Sequence, residues 1–74
     1  MPVEIDRLKA RVVRLRRSYQ RWVDKRDTLL LRWALEGKAV TNEQRVNLYA
    51  WEIASKARQL HEAQRVLKVY GGII

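Results

Sequence analysis

Residues 33–44 read WALEGKAVTNEQ, and this stretch decides the fold. Gly37 is the first glycine in the chain, and it follows a long stretch free of helix breakers. A glycine there supplies the left-handed conformation that commonly ends a helix. Four residues later, Thr41 and Gln44 have the spacing of a capping box, in which each side chain satisfies a backbone N–H of the other. One helix therefore ends and another begins within a turn of Gly37–Val40, too short to let them lie other than antiparallel.

On the N-terminal side, Pro2 suits a first helical position and Glu4 and Asp6 complement the positive helix end. The apolar residues then keep a heptad. Ile5, Val12, Tyr19 and Trp33 fall at a, and Leu8, Leu15, Trp22 and Leu29 at d; only Arg26 and Glu36 break the seam. A 3.5-residue period excludes a strand and predicts a helix over about residues 3–36. On the C-terminal side, Val46, Ile53, Leu60 and Leu67 at a, with Tyr49, Lys56, Ala63 and Tyr70 at d, predict a second helix over about residues 42–70. Ala50 and Ala57 at e widen its apolar face. The tail, Gly71–Ile74, is expected to fray.

The reading is thus an all-α, single-domain antiparallel hairpin of coiled-coil type. Facing residues should sum to roughly 79, a register set by hairpin geometry. Trp22 then meets Ala57, Trp33 meets Val46, Leu15 meets Ala63, Val12 meets Leu67, and Arg26 lies near Glu52. Seventy-four residues bury a modest fraction of their surface, and no cysteine is present to staple them. Association into a homodimeric four-helix bundle is the expected remedy. Val23, Leu30, Leu31, Leu35, Leu48 and Trp51 lie off the intramolecular seam toward the turn. They form the candidate protein interface, for a second copy or for another protein.

The formal charge is +8, and eleven of the sixteen basic residues are arginine, which grips phosphate with paired hydrogen bonds. No acid occurs between Asp6 and Asp24, where Arg7, Lys9, Arg11, Arg14, Arg16, Arg17 and Arg21 stand. Arg7, Arg11, Arg14, Arg17 and Arg21, at steps of four, three, three and four, share one helix face. Repulsion within this row does nothing for the isolated helix, so the row points to an anionic partner. Arg58 and Arg65 on the second helix are expected to join it. Nucleic acid, RNA or DNA, bound through its phosphates is the leading expectation, since no base-reading module accompanies the arginines. An acidic partner protein is the alternative, and an anionic lipid surface ranks third. In plan alone, a basic helical hairpin that dimerises resembles the plasmid Rop-type RNA-binding regulators; no local motif is shared, so no residue role carries over.

Catalytic chemistry is not expected. His61 sits at b among Ala57, Arg58, Gln64 and Arg65, with no carboxylate to orient it and no second metal ligand at helical spacing. Ser18 and Ser55 have no base in reach, and no glycine-rich phosphate loop exists. Neither metal nor cofactor is implied. The opening residues lack the apolar core of a secretory signal, and the longest apolar run, Leu29–Leu31, falls far short of a membrane span, so a cytoplasmic regulator is expected.

Overall fold

The structure is a computed structural model that describes the backbone of residues 2–71 and the side chains of residues 4–71. Helix α1 runs Pro2–Leu35, α2 runs Asn42–Asn47 and α3 runs Ala50–Gly71. Among the described residues there is no strand, and α1 packs along α3. The expectation for the tail concerns residues 72–74 and lies outside the described residues, while Gly71 itself closes α3.

The turn follows the sequence reading closely. Gly37 has φ 75°. Lys38 N–H donates to the Trp33 carbonyl at 2.9 Å and Gly37 N–H to the Ala34 carbonyl at 3.1 Å, which together occupy the last carbonyls of α1 in a Schellman arrangement. Gln44 N–H donates to Thr41 Oγ1 at 3.1 Å, and Thr41 N–H donates back to Gln44 Oε1 at 3.0 Å. Both halves of the capping box are present.

The second helix differs from the expected single span. It is interrupted at Leu48, which is extended, and at Tyr49, which has φ 54°. Neither residue is a glycine or a proline, so no local signal marks the break. Its consequences are tertiary. No residue of α2 is buried, and Val46, expected at the seam opposite Trp33, is 71% exposed. Trp33 lies instead in a groove with Val40 and Leu48. Trp22, expected against Ala57, holds its ring centroid 5.4 Å from that of Tyr49. The chain resumes helix there, with Ile53 N–H donating to the Tyr49 carbonyl at 2.9 Å.

The core sits at the open end. Val12, Ala63 and Leu67 are buried, with Ile5, Leu8, Leu15 and Leu60 packed against them, as the a and d pattern requires. Gly71 lies close by, where an added Cβ would come within 3.7 Å of Ile5 Cγ2. Tyr70, read from its d position as core, is 66% exposed, because α3 packs at this end through Ala63, Leu67 and Gly71, whose steps of four leave position 70 facing outward. Arg26 donates through Nε to Asp27 Oδ1 at 3.1 Å rather than to Glu52.

This core is thin for the size of the chain. The radius of gyration is 16.4 Å, against about 11 Å for a compact domain of this length. The accessible surface is 6157 Å², whereas a compact monomer of this mass exposes about 4,800 Å². No described helix is long and apolar enough to cross a membrane.

Candidate functional site

Helix α1 is one uninterrupted rod, so its side chains keep strict rows. Arg7, Arg14, Arg21 and Thr28 form one row at steps of seven, and Arg11, Ser18, Lys25 and Arg32 form the next. Arg7, Arg11, Arg14, Arg17 and Arg21 are all exposed. The ion pairs among the described residues join Arg26 to Asp27, Lys38 to Glu36 and Arg65 to Glu62, so none of the five engages a carboxylate. Their guanidinium groups remain available to an external anion.

Arg58 and Arg65 part company. Arg58 faces Arg11 across an open groove that also holds Ser55, Gln59 and Glu62, so it extends the arginine face. Arg65 borders the opposite side of the hairpin with Arg16, His61, Gln64 and Lys68, and its Nη1 lies 3.9 Å from Glu62 Oε2. That contact is loose and solvated, and such pairs contribute roughly 0–1 kcal/mol. Arg16 and Lys68 thus form a second, smaller cationic side that the five-arginine row did not include. The signal for it was available: Arg16 stands at e, the flank of α1 opposite the one on which Arg11 lies.

Lys25 and Arg32 were also missed as members of the first face, because Asp24 and Asp27 end the basic run along the chain. On the helix neither acid falls in either row, although Asp24 borders the same groove as Arg21, Lys25 and Arg32. The Asp24 carboxylate accepts from Gln20 Nε2 at 2.9 Å, and Asp27 holds Arg26. The rows therefore carry cations from Arg7 to Arg32. Near their turn end, Lys25 Nζ stands 5.0 Å from the Trp22 ring centroid and 5.9 Å from that of Tyr49.

The six residues of the candidate protein interface are unevenly exposed. Leu31, Leu35 and Trp51 are exposed by 60%, 80% and 76%, while Val23, Leu30 and Leu48 are half-buried. Leu30 lines a groove with Ala34 and Val40, and Leu48 lines another with Trp33 and Ala39. Val13 lies about five turns before Leu31 on the same line of α1, and Val69 about five turns after Trp51 on α3. Both, with Tyr70, are exposed at the open end, so apolar surface is not confined to the turn.

His61 is exposed, and among the described residues no three His, Cys, Asp or Glu side chains gather in a way that could hold a metal ion. No known protein family, curated protein or solved structure matches the chain.

Proposed function

We propose that the protein is a small non-enzymatic regulator that binds nucleic acid along the arginine rows of α1, chiefly through phosphate. The observation that carries this reading is the set of five exposed arginines with no carboxylate engaged, displayed on one uninterrupted helix. Arg7 to Arg21 spans about 21 Å at 1.5 Å per residue. That length matches about six phosphates of one strand. Arg58, across the groove from Arg11, widens the same face. Contacts of this kind release counterions, so affinity should fall steeply as salt rises. Fluorescence anisotropy of a labelled duplex across a salt series tests it; absent binding, or binding indifferent to salt, overturns the reading.

In this reading the working unit is a homodimer. The surface in excess of a compact monomer, about 1,400 Å² by the scaling above, is of the size that each partner hides in a stable, largely apolar interface. Light-scattering mass at several concentrations is the test, and a mass of one chain throughout rules the dimer out.

A second reading is favoured by Trp51. A tryptophan 76% exposed on the outer side of its hairpin suits an anchor for a different protein. The protein would then act as an adaptor or inhibitor, with the basic face selecting an acidic partner. Trp51→Ala should abolish such a complex while circular dichroism stays unchanged, and an unaffected complex excludes this anchor.

A further inference from the structure

We infer that the groove at the turn end of the arginine rows seats an unpaired nucleotide, its base against the Trp22–Tyr49 wall and its phosphate among Arg21, Lys25 and Arg32. The inference rests on the phosphate-binding reading above and adds to it the form of nucleic acid that fits. Three separate features converge there.

The first is the groove itself. Arg21, Lys25 and Arg32 line it together with the hydroxyl residues Ser18 and Thr28, and its 720 Å³ is open to solvent. That volume lies in the range of about 300–1,000 Å³ typical of small-ligand sites. Its one carboxylate, Asp24, accepts a hydrogen bond from Gln20.

The second is the backbone. Tyr49 is the one described residue other than glycine with positive φ, at 54°. Tyrosine adopts that conformation only when surrounding structure demands it, and such positions cluster where a side chain must be aimed. Here the break between α2 and α3 swings the Tyr49 ring to 5.4 Å from Trp22, with the rings inclined at 59°.

The third is Lys25, whose ammonium is held in front of both rings, with no carboxylate partner among the described residues. The ammonium lies over the rings, so a nucleotide entering the groove draws it off them: the base takes the ring face and the phosphate takes the cation. Stacking of this kind tolerates any base, because every base has a π-face. A blunt duplex keeps its bases stacked on one another and offers the wall nothing. A stem-loop lays its paired stem along Arg7–Arg21 and its loop in the groove.

The test compares a labelled RNA stem-loop with a blunt RNA duplex of equal phosphate number, by anisotropy at one moderate salt concentration. The wild-type protein should bind the stem-loop about tenfold more tightly. Tyr49→Asn keeps a residue that tolerates positive φ but removes the ring, and Lys25→Gln leaves the helix break untouched. Each should bring the two affinities within about threefold, with duplex binding largely retained. Helicity by circular dichroism accompanies each variant, and Lys25→Gln decides the matter should Tyr49→Asn lose structure. Equal wild-type affinities overturn the groove assignment and leave the arginine rows standing. Failure to bind either RNA overturns both. A stem-loop preference that survives both substitutions means the loop is read elsewhere, and overturns the assignment.

Discussion

Trp22 of α1 and Tyr49 of the α2–α3 joint meet with ring centroids 5.4 Å apart, and this pair ties the turn end of the hairpin together where the seam carries no buried residue. The buried side chains, Val12, Ala63 and Leu67, all lie toward the open end. Stability should therefore be distributed unevenly, with the turn end depending on one aromatic contact. Tyr49→Ala removes the ring and leaves a residue ill-suited to φ 54°. A loss of about 1–2 kcal/mol is expected, from the aromatic pair and the backbone together. Urea unfolding monitored by circular dichroism measures it, and Tyr49→Gly should cost less because glycine accepts that backbone.

Leu67 is 4% exposed in the middle of the only buried cluster described. Leu67→Ala should lose about 2–5 kcal/mol, since the cavity has few neighbours able to collapse into it. For a chain of this size that approaches the whole stability. The expected outcome is a far-ultraviolet spectrum largely without helix at 37 °C, and a variant that melts within a few degrees of the parent would contradict the placement of the core.

At the turn, Gly37→Ala places a Cβ on a backbone with φ 75°, although the space around it is open. The cost is conformational, about 1 kcal/mol. Thr41→Ala removes one half of the capping box and should cost about 0.5–2 kcal/mol. Thermal melts of the two single variants and the double variant should show which loss dominates; an increase in stability from Gly37→Ala would refute the left-handed assignment.

Arginines on the α1 face and those on the opposite side should separate in a salt series. Arg14→Gln, Arg21→Gln and Arg58→Gln should each lower the slope of log affinity against log salt by about 1. Arg65→Gln should leave the slope nearly unchanged, because Arg65 borders the other groove and faces Glu62. Equal effects from all four would mean that charge acts in bulk rather than through one face.

If a second copy covers part of the exposed surface, the melting temperature should climb with protein concentration, by mass action on the folded dimer. A midpoint constant over a hundredfold dilution would remove the dimer from the account.

Much of the fold was legible because it is written in local chemistry. Gly37, Thr41 and Gln44 act within one stretch of eight residues, and each does so in the structure as its residue type dictates. The heptad on α1 placed Val12, Leu8 and Leu15 in the core for the same reason. The break at Leu48–Tyr49 was not legible, since no glycine or proline marks it and the residues that benefit, Trp22 and Tyr49, are distant in sequence. For the candidate site, exposure of the five arginines followed from their spacing. Lys25 and Arg32 escaped notice although they continue the step of seven from Arg11 and Ser18, because Asp24 and Asp27 interrupt the charge run along the chain, whereas the row of Arg11, Ser18, Lys25 and Arg32 contains no acid. The exposure of Leu31, Leu35 and Trp51 followed from their positions off the seam, and Val13 and Val69 continue the same lines to the open end.

The described hairpin measures 55 × 18 × 17 Å, so it is roughly three times as long as it is wide. A particle of that shape drags more than a sphere of equal mass. On a gel-filtration column calibrated with globular standards, a single chain will elute early and pass for a larger species, while a side-by-side pair, being stouter, will be displaced less. Elution volume here reports length before it reports stoichiometry, and mass has to come from sedimentation equilibrium or scattered light.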